Sequence, residues 1–214
     1  ITPSSLQRDV LIEAGYDPQR IIHLRSFYGG SLEASSPGEE RDYILYFGRI
    51  AVEKGLDTLL RAFAIANPDV RLVLAGGDID GITGDLEALA REQGIDDRVE
   101  FVGFKGREEL RDLISHCLFT VVPSRCYDNC PMSVLESFAY EKPVVGSNIG
   151  GIPEQITPEC GMLADSDLRQ SMGRASKQRL VEFYSPARHC DSLLKSMGAL
   201  IEGKEPTEIA DELT

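Results

Sequence analysis

Val70-Arg71-Leu72-Val73-Leu74-Ala75, closed by Gly76-Gly77, is the stretch that decides the fold. From Leu72 to Ala75 no polar residue interrupts the apolar run, so a strand here has to be covered on both faces, as strands of parallel sheets are. The Gly-Gly pair then breaks it. Similar short runs lie on either side: Tyr43-Ile44-Leu45-Tyr46-Phe47, Val99-Glu100-Phe101-Val102, Phe119-Thr120-Val121-Val122 and Pro143-Val144-Val145. Between them, apolar residues fall at helical spacing. Leu56, Leu59, Leu60 and Phe63 form one such set, stopped before Pro68; Leu86, Leu89 and Ala90 form a second, ended by Gly94; Leu110, Leu113, Ile114 and Cys117 form a third. Strands alternating with helices predict an α/β domain with a doubly wound parallel sheet, Rossmann-like. An opening helix with Leu6, Val10 and Ala14 on one face ends at Gly15. Ser31 to Arg41 reads as a surface loop, and Gly203 to Thr214 as a polar, acidic tail; the chain shows no internal repeat.

With 214 residues, 42% of them hydrophobic, the chain can bury one substantial core or at most two small ones. No run approaches the roughly 18 apolar residues of a bilayer span. Ile1-Thr2-Pro3-Ser4-Ser5 lacks the basic start of a signal peptide, and the missing initiator methionine suggests a fragment. A formal net charge of −13 repels phosphate backbones, which argues against nucleic-acid binding. Cys117, Cys126, Cys130, Cys160 and Cys190 include one C-x3-C pair but no second cluster and no adjacent His, so they read as reduced thiols of a cytoplasmic protein rather than a zinc set. His23, His116 and His189 are scattered and read as structural.

Open parallel sheets bind ligands at the carboxyl ends of their strands, and the chemically distinctive residues fall there. After the first main strand, Gly48 lets the backbone approach a ligand closely, while Arg49 offers a forked donor and Lys54 a compact charge for a diphosphate. The plain alternative is two solvated cations. Gly76-Gly77-Asp78 is a chain reversal whose glycine spacing is wrong for a dinucleotide fingerprint, and no P-loop is present. At the next strand end, Val102 to Phe104 present backbone groups and a ring edge to a nucleobase, or simply form a turn. Asp128 and Glu136 then flank the start of a helix with Pro131 in its first turn and Val134, Leu135 and Phe138 on its buried side. The free amides of Met132 and Ser133 suit an anion or sugar hydroxyls. The plain alternative makes Asp128 a capping acid and Glu136 a solvated helix residue.

Taken in order, G-R-x4-K-G, L-x-L-A-G-G, V-x-F-x-G-F, V-P-S, acid-x7-acid and P-V-V-G-x3-G-G-I-P-E resemble the donor domain of retaining glycosyltransferases of the GT-B fold. The likeness runs from about Thr2 to Leu163 and resumes from Leu168 to Ser185. It implies one half of a GT-B fold, with residues 1–202 as a C-terminal donor domain for a nucleotide-diphosphate sugar. By this resemblance Arg49 and Lys54 bind the diphosphate, Glu136 the ribose hydroxyls and Asp128 the transferred sugar. Met132 and Ser133 amides hold sugar or phosphate oxygens, Gly48 adjoins them, and Val102 and Phe104 line the base. No metal and no cofactor beyond the donor is implied; Arg49 and Lys54 would stabilise the leaving diphosphate during front-face displacement. The implied acceptor is a glycan or lipid, held by an N-terminal domain that this chain lacks, with peripheral membrane contact made by that missing half of a cytoplasmic enzyme of polysaccharide biosynthesis.

Three departures stand out. Asp128 replaces the usual Glu, shortening the reach to the sugar by one methylene. Only four residues separate Leu163 from Leu168, where the family carries a helix, and the acceptor half is missing, so the chain alone is expected to bind donor without efficient transfer. A non-catalytic sugar-nucleotide module, a pseudoenzyme or sensor, is the rival expectation. A sugar-nucleotide epimerase would need further acid and His groups around the sugar.

Overall fold

A computed structural model describes residues 1–30 and 37–161. The expected strand at Gly161–Leu163 beyond its first residue, the shortened connection to Leu168, the helical segment after it, His189, Cys190 and the tail lie outside the described residues.

Among the described residues five parallel strands, β1 (Tyr43–Phe47), β2 (Arg71–Ala75), β3 (Val99–Gly103), β4 (Thr120–Val122) and β5 (Val144–Gly146), form one sheet in the order β3-β2-β1-β4-β5. Helices α2 (Leu56–Ala66), α3 (Thr83–Glu92), α4 (Arg107–His116) and α5 (Met132–Ala139) connect them. Helix α1 (Ser5–Glu13) precedes the sheet, and the single turn α6 (Ile152–Gln155) follows it. The strand order reverses between β1 and β4, which pair through Leu45 and Thr120. The helices that follow those two strands, α2 and α5, pack on opposite faces of the sheet, and the crevice between them is where this topology takes ligands.

The apolar runs work as their lack of alternation requires. Every residue of β1 is buried: Tyr43, Leu45 and Phe47 face a core with Val134, Leu135 and Phe138 of α5, whereas Ile44 and Tyr46 face one with Leu56, Leu60 and Phe63 of α2. Full burial of a leucine such as Leu60 is worth about 1.5–3 kcal/mol. Two buried hydroxyls are paired with each other: Thr120 of β4 and Ser137 of α5 lie 2.8 Å apart, and Ser137 also donates to the Ser133 carbonyl at 2.7 Å.

One strand departs from its neighbours and one expectation needs correction. Strand β3 lies at an edge of the sheet, Glu100 is exposed, and its carboxylate meets Arg71 at 3.3 Å. Charge on an edge strand blunts pairing with other chains. In α1 the predicted face holds only at its start: Leu6 is partly covered, but Val10 is 50% exposed and Ala14 is exposed, and Leu11 and Ile12 are partly covered as Leu6 is. The stop is where it was expected, with Ala14 as C-cap and Gly15 at φ +90.

Candidate functional site

The segment after β1 turns twice before α2 begins. Val52–Lys54 form one 3₁₀ turn, and Gly55 follows at φ +67, the left-handed region that favours glycine. A β-carbon at Gly55 would lie 2.2 Å from the Pro123 carbonyl oxygen, so only glycine lets this loop press against the one leaving β4. That approach brings Lys54 to Asp128. Lys54 Nζ donates to both carboxylate oxygens, at 2.8 and 2.9 Å, with the two side chains only 14% and 20% exposed.

Burial alone would raise the Asp128 carboxyl. Hydrogen bonds from Lys54 and Ser124, with the Lys54 charge, outweigh it and hold the group below the usual carboxylate range. Cys126 lies beside the pair, 3.8 Å from Lys54 Nζ, and burial pushes its thiol up. The plain alternatives for these residues fail on geometry. Asp128 caps nothing, since α5 begins after Pro131 with no side-chain cap, and Lys54 is not a solvated cation. Pro131 itself stands one residue earlier than expected, as the N-cap rather than inside the first turn.

Glu136 sits one turn into α5, half-buried and facing the same space, and burial raises its carboxyl above the ordinary value. A carboxylate that has lost water without gaining a cation is suited to accept hydroxyl donors from a ligand. Arg49 is more exposed and meets Glu53 at 3.0 Å, while its carbonyl accepts from the Tyr46 hydroxyl at 2.5 Å. Burial also raises Tyr46, so its phenol stays a donor.

One cavity of about 490 Å³ joins these groups. Gly48, Arg49 and Lys54 wall one side; Asp128, Met132, Ser133 and Glu136 wall the other; Phe104 stands at the rim, 81% exposed. Of the residues singled out from sequence, Val102 alone is not part of the lining. Its side chain packs against the hydrophobic cluster beneath. Lining residues that the sequence reading did not assign to the site include Tyr46, Phe47, Ile79 and Leu110. Ile79 follows the Gly76-Gly77-Asp78 reversal, in which Asp78 accepts from the amides of Ile82 and Thr83 at 3.0 Å each and so starts α3. The described residues hold no group of three or more His, Cys, Asp or Glu placed to take a metal ion, and none of their helices is long and apolar enough to cross a membrane.

The Gly150-Gly151-Ile152-Pro153-Glu154 segment braces the acid loop from behind. Gly151 donates to the Asp128 carbonyl at 2.7 Å, and a β-carbon there would lie 1.9 Å from the Asn129 carbonyl oxygen. Glu154 accepts from the first amides of α1, Ser5 and Leu6, at 2.9 and 3.0 Å, satisfying donors that a helix start leaves free.

Residues 32–181 match the family described as glycosyl transferases group 1. The chain is 30% identical over 177 residues to alpha-D-kanosaminyltransferase of Streptomyces kanamyceticus, covering 72% of this chain and 45% of that protein. It is 34% identical over 155 residues to a D-inositol 3-phosphate glycosyltransferase of Mycobacterium sp., covering 65% and 34%. The chain therefore spans less than half the length of these relatives. Among solved structures, it matches Anabaena HepE in complex with UDP and glucose with a TM-score of 0.82 at 16% identity, over 92% of this chain and 62% of that one. It matches sucrose-phosphate synthase of Thermosynechococcus elongatus with a TM-score of 0.80 at 22% identity, over 95% and 58%. With a parallel α/β sheet of the GT-B glycosyltransferase kind and a family match over most of its length, the chain belongs to the glycosyl transferases group 1 family.

Proposed function

We propose that this chain is the donor-binding half of a retaining glycosyltransferase that takes a nucleoside-diphosphate sugar. One observation carries the reading: three cations, two acids and a helix start, drawn from segments far apart in sequence, converge on one cavity at the carboxyl ends of β1 and β4. In this reading Lys54 and Arg49 hold the diphosphate, with the first amides of α5 supplying further donors. Glu136 accepts the ribose hydroxyls, and Phe104 offers a ring face to the base. Asp128 meets the sugar. As the bond to the anomeric carbon breaks, negative charge grows on the diphosphate, and Lys54 and Arg49 neutralise it without a metal ion. The relative that binds UDP and glucose supports a nucleotide-sugar donor. The acceptor, a glycan or lipid, falls to a partner half of the same enzyme, which closes over the donor in the cytoplasm.

A second reading, a module that binds sugar nucleotide without transferring it, draws support from Asp128 itself. Its carboxylate is already engaged by Lys54 on both oxygens, which leaves it less free for a sugar hydroxyl. Calorimetric titration with UDP, GDP and ADP tests the shared core of both readings. Binding of one nucleotide, weakened roughly tenfold or more by Lys54→Ala or Glu136→Ala (about 1.4 kcal/mol), is expected. Indifference to both substitutions would refute the site. Glycosyl transfer by the full-length enzyme, abolished by Lys54→Ala, then separates the enzyme from the binding module.

A further inference from the structure

We propose that Arg125, which lies outside the donor cavity, is a positioning residue that sets Lys54 against Asp128; the proposal rests on the donor-site reading above.

Arg125 belongs to the loop that leaves β4, three residues before Asp128, yet among the described residues its hydrogen bonds go to the segment that follows β1 and opens α2. Its backbone amide donates to the Glu53 carbonyl at 2.8 Å. Its guanidinium donates to Thr58 Oγ1 at 2.7 Å and is paired with the Asp57 carboxylate. Glu53 stands just before Lys54, and Asp57 and Thr58 open α2 just after Gly55. One arginine thus clips the Lys54 reversal on both sides. Its Cγ would also lie 3.3 Å from a β-carbon on Gly55, so its aliphatic stem fills the angle of that turn. The two loops approach as closely as glycine permits, and the clip stands where they meet.

The arrangement suits Arg and not Lys. A planar fork with several donors can hold a carboxylate and a hydroxyl together, whereas an ammonium is a single point of attachment. The pair is itself solvent-exposed, so its contribution to global stability is small. Its leverage is local. Lys54 and Asp128 are 74 residues apart, and their contact depends on how these two loops are held. Asp57 shows the same engagement from its own side: the hydrogen bond from Arg125, foremost, lowers its carboxyl below the ordinary range.

Two measurements test this on the chain as it stands, one without any nucleotide. Carbon-detected NMR titration of the Asp128 carboxyl in unliganded protein reports its contact with Lys54 directly. Arg125→Ala is expected to move that titration up toward the ordinary Asp value, Arg125→Lys to move it part of the way, and neither to unfold the chain by circular dichroism. An Asp128 titration unchanged in Arg125→Ala would overturn the proposal whether or not nucleotide binds. The second is a double-mutant cycle on nucleoside-diphosphate affinity. Arg125→Ala should weaken binding roughly threefold to fivefold, the size of one exposed ion pair with its hydrogen bond, because the turn that carries Lys54 into the cleft is then no longer held, and should add nothing in a Lys54→Ala background. Equal losses in both backgrounds would make Arg125 an ordinary structural residue. No binding by the wild-type chain would count against the donor-site reading and leave the carboxyl titration to decide Arg125.

Discussion

Replacing Asp128 by Asn should make the chain bind a bare nucleoside diphosphate more tightly. Lys54 Nζ is held 2.8 and 2.9 Å from the two Asp128 oxygens, so a diphosphate oxygen reaching the same ammonium must share it with a carboxylate. Two such contacts back to back put carboxylate and phosphate about 5–6 Å apart, and a pair of unit charges at that range repels by about 0.8 kcal/mol in water and about 3 kcal/mol at an effective dielectric near 20. The cleft is open on one side and the pair is only partly buried, so the lower part of that range applies. About 1 kcal/mol corresponds to roughly fivefold in affinity. Asn has nearly the same shape and still offers an oxygen to Lys54 and Ser124, so the loop should keep its form. The assay is calorimetry of wild type and Asp128→Asn with UDP, GDP or ADP, whichever binds, and with the matching sugar nucleotide. The bare diphosphate should gain roughly fivefold, less at high salt, while the extra affinity from the sugar should shrink. Weaker binding of the bare diphosphate by Asp128→Asn would refute the reasoning, because it would mean that Asp128 orders Lys54 more than it competes for it.

Other outcomes follow from single features. Burial raises Glu136, so the folded chain holds that proton more strongly than the unfolded one, and stability falls as pH climbs from the ordinary Glu value of 4.5 through the folded one; thermal melts across pH 4–8 should show Glu136→Gln losing less stability than wild type over that window and melting higher at pH 7, although it binds nucleotide less well. Gly151→Ala forces a β-carbon into the Asn129 carbonyl oxygen and should cost about 1–3 kcal/mol in urea unfolding. Ser137→Ala leaves the buried Thr120 hydroxyl without its partner and should cost about 1–3 kcal/mol, whereas Thr120→Val leaves Ser137 bonded to the Ser133 carbonyl and should cost less; the double variant should lose clearly less than the sum.

The strands and crossover helices were legible because each is a local signal, an apolar run or a helical repeat cut off by glycine or proline. Whether a strand lies inside the sheet or at its edge is not local. Val99-Glu100-Phe101-Val102 read as a strand, but that β3 lies at an edge of the sheet depends on the order of the strands. For α1 the repeat announced a face, but which side is covered depends on what packs there, and Val10 faces solvent. Some cavity-lining residues, Lys54, Asp128 and Glu136 among them, were named in advance, since they lie at or just beyond strand ends in this topology. Their pairing was not: nothing in the run Gly48 to Gly55 says that Lys54 closes on a carboxylate 74 residues away. Glu154 was visible as part of a motif, but its service to the amides of Ser5 and Leu6, nearly 150 residues earlier, was not.

The reversal of strand order between β1 and β4 also bears on how the cleft comes into being. β1, β2 and β3 are successive in the chain and adjacent in the sheet, so their pairings close comparatively short loops. The β1–β4 contact waits for the chain to return across everything between, and ring closure grows costlier with length. Lys54 is present in the early half and Asp128 in the late one. A nascent or truncated chain that stops short of β4 can build three strands and the two helices that connect them and still lack the wall that carries Asp128 and Glu136; the cleft is complete only when the second half of the sheet docks on the first.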